Sequence, residues 1–391
     1  MKLIIITHPT FSASQSMPRF ARLISDGMKS RGHSVNVWTA QPWAYNLPVP
    51  TKLKKWLGYI DQFIIFPILL RSRLRKISLD TVFVIADQAL GPWVPAVAKR
   101  PHVIHVHDFM ALKSAMGEYH QNPTSWTGKV YQKLILRGFN HGKRFVSVSK
   151  NSQIDLQRYL KTPADESISI YNGLNYPFRS LSRTEASSAF TAAGYTLPKD
   201  GFLLHVGGNQ WYKNRSGVLE IYSSYIKQTT DPKPLIMIGS KPTTQLMCKA
   251  NEINNSNTGV VLFLVIPPTE VVCAAYSMAS AFIFPSIAEG FGWPIIEAMA
   301  CGCPVLTTNE APMTEVGGCL ATYIPSMSDF DSTESWANKS AQILKSVISS
   351  DPETLKNKRS DRIKYALNFD LDKTLDEYET AYQRAMEAMS Q

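Results

Sequence analysis

Short apolar runs recur along the chain, each closed by a polar or glycine-bearing step. Leu3–Ile6, Val35–Thr39, Val82–Ala86, Val103–His107 and Phe145–Ser149 read as strands of the first half. Phe202–Val206, Pro234–Ile238, Val260–Val265, Ala281–Phe284 and Val305–Thr307 read as strands of the second. Their hydrophobicity is near-continuous rather than alternating, which predicts strands covered on both faces. Segments of helical period lie between them, among them Met17–Arg31 with Gly32 as its cap, Ser216–Lys227, Glu270–Met278 and the amphipathic stretch Asp372–Met389. Strands alternating with helices predict α/β architecture with parallel, doubly wound sheets. Tyr171-Asn172-Gly173 reads as a turn, and the polar, proline-marked stretch from Tyr176 to Asp200 as the linker. A chain of 391 residues exceeds one ordinary core. The expectation is an N-terminal Rossmann-like domain over 1–180, a second over 181–370, and a C-terminal helix over 371–391 that packs back on the first.

One stretch breaks the rhythm. Lys52 to Lys76 has an apolar, aromatic middle bracketed by cations. Two readings stand. Lying in a bilayer interface, such a helix would bury Trp56, Phe63 and Phe66 and set its cations on anionic head groups. Otherwise it is an internal helix of the first domain with solvated ends, a reading favoured by Asp61 and Pro67, which interrupt the apolar pattern.

Charge sharpens this. Residues 1–180 carry 24 Lys and Arg against 9 Asp and Glu, a net +15; residues 181–391 carry 17 against 22, a net −5. A basic first half suggests an anionic membrane surface, a phosphate-bearing or otherwise anionic acceptor, or nucleic acid. Zinc-finger spacing, a basic zipper and an aromatic RNA-binding strand motif are all missing, so nucleic acid is not expected as a partner. The five cysteines are odd in number, lie in the second half and form no C-x-x-C pairs, which fits a reducing compartment and argues against structural zinc. Cys301 and Cys303, either side of Gly302, read as small buried residues around a tight turn. The opening Met-Lys-Leu-Ile-Ile-Ile run is too brief for a signal peptide, and no segment reaches the ~20 apolar residues of a membrane span.

The chemistry concentrates in Ser286–Val305. An apolar run enters a glycine-bearing loop holding Glu289, and Pro294 then suits the first turn of a short helix carrying Glu297. Gly302 can close that helix in a left-handed conformation, and a new apolar run begins at Pro304. Free loop amides and a helix N-terminus make a place for phosphate, flanked by two carboxylates suited to gripping hydroxyls. A sugar nucleotide matches that combination.

With this organisation, the chain resembles the retaining glycosyltransferases of family 4, which have the GT-B fold: two Rossmann-like domains facing each other across a cleft. The likeness covers nearly the whole chain and is strongest from Phe202 to Val316. It rests first on Glu289 and Glu297, seven residues intervening, within Glu-Gly-Phe-Gly-Trp-Pro-Ile-Ile-Glu-Ala-Met-Ala. It implies that Glu289 grips the donor sugar and Glu297 the ribose, with backbone contacts from Phe291, Gly292 and Trp293. The second element is His205 to Arg215, His-Val-Gly-Gly-Asn-Gln-Trp-Tyr-Lys-Asn-Arg. There the family strand ends in glycine, here Gly207, followed by an arginine and, five positions on, a lysine; the two cations neutralise the leaving diphosphate. Lys213 holds the lysine position, Gly208 stands where the arginine is expected, and Arg215 is the alternative cation. The third is Ile104-His-Val-His-Asp-Phe, in which His107 takes the place of a histidine directed at the donor sugar. Val146–Ser149, Tyr171–Gly173 and Glu315 are weaker matches.

Two departures stand out. Residues 10–16, Thr-Phe-Ser-Ala-Ser-Gln-Ser, replace a Gly-Gly loop, and Val265 and Ile266 stand where a glycine often follows the strand. The resemblance implies sugar transfer from a nucleotide-diphosphate donor to an acceptor hydroxyl, with retention, no metal and no cofactor. The protein would work in the cytoplasm or peripherally on the inner face of the plasma membrane, on a lipid-linked or otherwise anionic acceptor, in making surface polysaccharide or glycolipid. Two alternatives stay open: a sugar-nucleotide epimerase of the same fold, and a non-catalytic sugar-nucleotide-binding relative. A dinucleotide oxidoreductase ranks behind them, since no G-x-G-x-x-G follows the first strand.

Overall fold

The computed structural model describes residues 1–11, 16–256 and 258–388. Of the loop expected over 10–16, residues 12–15 fall outside them, as does Met389 at the end of the expected terminal helix. The chain divides into two units, Met1–Gly173 with Leu371–Gln391, and Leu174–Asp370. The terminal helix Leu371–Glu387 thus belongs to the first unit, and the division comes a few residues before the expected 180/181.

The first unit is built on six parallel strands: β1 (Lys2–Ile6), β2 (Ser34–Trp38), β3 (Thr81–Ile85), β4 (His102–Val106), β5 (Arg144–Ser147) and β6 (Glu166–Ser169), in the order β2-β1-β3-β4-β5-β6. Leu3, Ile5, Phe83 and Ile104 are fully buried, as continuous apolar runs predict. Tyr378 and Tyr382 of the helix Leu371–Glu387 are buried too, and the Tyr382 hydroxyl lies 2.7 Å from His105 Nε2. The second unit carries β7 (Leu203–Val206), β8 (Leu235–Gly239), β9 (Val261–Val265), β10 (Ala281–Phe284), β11 (Val305–Thr308) and β12 (Thr322–Ile324), in the order β12-β11-β10-β7-β8-β9.

Each order reverses once. The reversal falls between β1 and β3 in the first sheet and between β7 and β10 in the second. Flanking connections there leave toward opposite faces, so a crevice opens beyond the carboxyl ends of the two strands.

Two expectations need correction. The stretch read as linker holds the helix Arg183–Ala192, started by a capping box between Ser182 and Glu185. Its Ala186 and Phe190 are buried, and the helix packs on Thr269–Met278. Segment 51–74 is one continuous helical run, α-helical over Thr51–Ile60 and Phe66–Leu74 with a π-helical turn at Asp61–Ile65 between. Asp61 does not interrupt its outer surface. It points inward, almost wholly buried, and accepts hydrogen bonds from the Ala44 and Tyr45 amides at 2.8 Å. Pro67 follows the wide turn, where a proline's missing N–H is tolerated because the ladder is already broken. The Gln62 carbonyl in that turn accepts from the Trp93 indole at 2.7 Å.

Candidate active site

The second unit's reversal point is occupied by charge. β7 gives way to Gly207, whose amide donates to the Ile238 carbonyl, and the chain closes a short 3-10 turn at Trp211–Lys213. Asn214 follows in the left-handed region with φ 50°; its side chain accepts from the Gly217 amide, capping the helix Arg215–Lys227, and donates to the Pro285 carbonyl at 3.1 Å. Short side chains that bond their own backbone tolerate this conformation. The Ile287 amide donates to the Tyr212 carbonyl at 2.8 Å. The loop after β7 and the loop after β10 are therefore stitched together.

That stitching delivers Lys213 to Glu289. Lys213 Nζ lies 2.8 Å from Glu289 Oε1, with side-chain exposures of 14% and 7%. The Ser286 hydroxyl donates to the same oxygen at 2.8 Å, and the ammonium lies 5.0 Å from the centre of the Phe284 ring. Three donors on one ammonium let it hold a carboxylate and still serve an anion.

Arg215 points elsewhere. Its guanidinium donates through Nη1 to Asn209 Oδ1 and the Ser240 carbonyl and lies over Phe263. Nε and Nη2 are buried with no hydrogen-bond partner among the described residues, and burial lowers the pKa. A buried guanidinium with unused N–H groups is an unmet demand for an anion or a polar ligand.

Gly292, at φ 102°, turns the acidic loop into the helix Trp293–Ala300, and Pro294 sits in its first turn as the sequence predicts. Phe291 is buried against Phe369 with ring centres 6.0 Å apart. Glu297 accepts from the Tyr276 hydroxyl at 3.2 Å; burial and then that carboxylate push the phenol well above its usual pKa, keeping it a donor. Gly302 closes the helix at φ 79°, with Cys301 and Cys303 fully buried beside it. Glu315 lies in the first turn of Met313–Gly317.

At the end of β9, Ile266 adopts φ 46° with its side chain 78% exposed, a conformation a β-branched residue rarely takes. This is the neighbourhood where the family often has glycine. At the end of β8, Gly239 has φ 149°, and a Cβ there would lie 2.0 Å from the Gly207 carbonyl oxygen. Gly207 and Gly208 are thus held close under the adjoining strand end. His205 is buried and neutral, pushed down to about 3 by burial, with Nδ1 2.9 Å from the Ile283 carbonyl.

In the first unit, His107 is buried edge-on against Phe20, its Nε2 2.9 Å from the Ala86 carbonyl. Burial lowers its pKa, so the ring is neutral and Nε2 carries the proton, which leaves Nδ1 an acceptor. Sequence reasoning missed its neighbour. His8, two residues past β1, lies 2.8 Å from Asp87, two residues past β3, across the first sheet's reversal point. Burial raises the Asp87 pKa, but the His8 hydrogen bond and charge outweigh that and hold it below the usual carboxylate value. The polar step after the first apolar run was visible; its partner, 79 residues on, was not.

Comparison with known proteins bears on what such a fold is. A pair of parallel, doubly wound sheets with an acid-bearing glycine loop at the second reversal point is the make-up of a GT-B glycosyltransferase. Residues 17–176 match the Glycosyltransferase Family 4 profile and residues 193–362 the Glycosyl transferases group 1 profile. The chain belongs to the GT-B glycosyltransferases of family 4 type. O-antigen chain mannosyltransferase B of Escherichia coli is 28% identical over 187 residues, 48% of this chain and 49% of that protein. O-antigen chain mannosyltransferase RfbU of Salmonella typhimurium is 26% identical over 230 residues, 58% of this chain and 59% of its own length. The match thus spans about half the length of these relatives. Among solved structures, sucrose-phosphate synthase of Thermosynechococcus elongatus superposes with TM-score 0.71 at 16% identity, covering 99% of this chain and 100% of that one. WaaG, a glycosyltransferase involved in lipopolysaccharide biosynthesis, gives 0.68 at 18%, covering 96% and 98%. HepE of Anabaena, in complex with UDP and glucose, gives 0.67 at 16%, covering 100% and 99%.

Proposed function

We propose that the protein transfers a sugar from a nucleoside-diphosphate donor to an acceptor hydroxyl, with retention at the anomeric carbon and without a metal ion. The observation that carries this is the largely buried Lys213–Glu289 pair beyond the carboxyl ends of β7 and β10. Lys213 meets the diphosphate, helped by Arg215, by the amides of Gly207 and Gly208 and by those of Phe291, Gly292 and Trp293 at the start of a helix. Glu289 holds sugar hydroxyls, and Glu297, steadied by Tyr276, holds the ribose. In the first unit, His107 keeps Nδ1 as an acceptor for a hydroxyl. As the bond to the leaving phosphate breaks, negative charge grows on its oxygen, and fixed cations and amides already aimed there lower the barrier. That oxygen also takes the acceptor's proton, so no side chain is assigned as general base.

The relatives support the donor and acceptor classes. The mannosyltransferases favour a polysaccharide or glycolipid acceptor of the O-antigen kind and put nucleotide-linked mannose first among donors. HepE, holding UDP and glucose, supports a nucleotide sugar more generally. The reaction would take place at the inner face of the plasma membrane, on a lipid-linked or anionic acceptor. A panel of nucleotide sugars tests the reading by thermal shift, since a ligand that binds only the folded state raises its stability. One of them should stabilise the protein, and Glu289→Ala should then slow transfer with chelator present or absent. Absence of any stabilising nucleotide sugar, or normal turnover in Glu289→Ala, overturns it.

A further inference from the structure

The helical run 51–74 carries a feature that sugar transfer does not use. Its inward face is Gly58, Asp61, Phe66 and Leu70. Its outward face is a single apolar stripe, Leu53, Trp56, Ile60, Ile64 and Ile68, each between 38% and 60% exposed. Those spacings of three and four keep all five on one side of the helix. The helix Trp126–Phe139 repeats the design. It buries Ile135, Gly138 and Phe139, its glycine so close to Gly91 that an added Cβ would collide with backbone, and it exposes Trp126, Val130 and Leu134. Tyr131 joins the two helices, packing 5.9 Å from Tyr59 and 5.6 Å from Phe63, ring centre to ring centre.

Cations frame both stripes: Lys52 and Lys55 at one end of the run, Arg71 and Arg75 at the other, Lys129 and Lys133 on the second helix, all exposed. No exposed carboxylate lies on either helix; the one acid in the run, Asp61, is buried under the 44–45 loop. The side chain that appears in sequence to spoil the pattern is therefore absent from the outer surface.

We infer that this two-helix face docks on an anionic phospholipid bilayer. Exposed Trp and aliphatic side chains in a band, flanked by cations of one sign, match an interface whose interior is apolar and whose head groups are negative. An aqueous acidic partner would use the cations and leave the stripe in water; a neutral apolar partner would use the stripe and leave the cations that frame it unmatched. The inference deepens the membrane siting proposed above but rests on the surface alone; sugar transfer does not depend on it, so the two fail separately.

The test is co-sedimentation of the full chain with vesicles of phosphatidylcholine, alone or mixed with phosphatidylglycerol, at low and high salt. Expected are binding to the mixed vesicles, weakening with salt, and little binding to phosphatidylcholine. Trp56→Ser with Ile64→Ser and Ile68→Ser should lower the affinity at least roughly tenfold. Lys52→Gln with Lys55→Gln and Arg71→Gln should abolish the anionic preference, each cation accounting for roughly a fivefold loss. Met247→Ser with Leu367→Ser, exposed apolar positions of the second unit, should bind as the parent does. Circular dichroism on each variant checks that it is folded. Equal binding to both vesicle types, undiminished binding of the folded triple serine variant, or lipid-independent self-association that the same variant abolishes would each overturn the inference.

Discussion

Replacing Glu289 by glutamine separates two things that the native pair joins. In the unliganded protein Lys213 is held by a carboxylate at 2.8 Å, both groups largely out of water. A diphosphate arriving at Lys213 competes with that carboxylate and is repelled by it. Glu289→Gln removes the competitor and keeps the shape, leaving Lys213 beside Ser286 and the Phe284 ring. A bare nucleoside diphosphate should then bind at least as tightly as to the parent. Transfer should nevertheless fall, because the grip on the sugar weakens in the transition state, by about 2–4 kcal/mol, or roughly 30- to 1,000-fold in rate. Lys213→Met should do the opposite to binding. It removes a charge-assisted hydrogen bond of about 1.5–3 kcal/mol, some ten- to hundredfold in nucleoside-diphosphate affinity. It should also destabilise the fold by about 3 kcal/mol, since Glu289 is left buried with only the Ser286 hydroxyl. The double variant, with neither charge, should recover most of that stability, so a double-mutant cycle in urea should give a coupling of about 2 kcal/mol. Isothermal titration with nucleoside diphosphates and a donor-turnover assay read the rest. Unchanged diphosphate affinity in Lys213→Met, or a loss in Glu289→Gln as large as in Lys213→Met, would refute these roles.

Three further outcomes follow from single residues. His105 in the first unit and His205 in the second are buried and pushed down to about 3, while the unfolded chain titrates near 6.5, so the unfolded state binds the extra protons in between. Stability should be intact above pH ~6.5 and fall below it by about 1.4 kcal/mol per histidine per pH unit, and His105→Gln should flatten the first unit's slope in urea titrations; an unchanged slope contradicts this. Ile266→Asn should raise the urea midpoint, gaining about 1 kcal/mol, because asparagine accepts φ 46° more readily and the exposed isoleucine gives up little burial; a lower midpoint counts against strain there. Gly239→Ala should cost more than about 3 kcal/mol and weaken nucleoside-diphosphate binding too, since a Cβ 2.0 Å from the Gly207 oxygen must displace the loop after β7; a calorimetric scan with and without ligand reads both effects.

What could be read ahead of the structure depended on where each element lies. Interior strands such as Val82–Ala86 and Ala281–Phe284 are covered on both faces, so they appear as unbroken apolar runs. β6 and β12 sit at sheet edges, and their residues, Glu-Ser-Ile-Ser and Thr-Tyr-Ile, are mostly half-buried and polar, with no such run to find. The helix Arg183–Ala192 was hidden by prolines and polar residues around it, although Ser182-x-x-Glu185 ahead of Ala186 and Phe190 was a usable start signal. In the second unit, Glu289, Pro294, Glu297 and Gly302 were legible because loop and helix grammar is local. Arg215's turn toward Asn209 and Ser240, His8 with Asp87, and the inward aim of Asp61 were not, because each depends on a partner that only tertiary folding brings near.

The distribution of buried charge separates binding from folding. An isolated buried ion pair adds little net stability, since withdrawing both groups from water offsets most of their attraction, and apolar residues of similar size would serve a core as well. Lys113 with Asp155, between the helices Met110–Met116 and Lys150–Tyr159, is a pair of that kind; but each sheet also has a polar pair that bridges the two strands between which the order reverses: His8 hydrogen-bonded to Asp87 across β1 and β3, Lys213 with Glu289 across β7 and β10. At those points departing connections open a crevice, and strand-end polar groups lose the neighbours that would cover them elsewhere. A polar pair at each reversal point is what a requirement for ligands predicts, with the pair satisfying the site until a phosphate or a hydroxyl takes one partner's place.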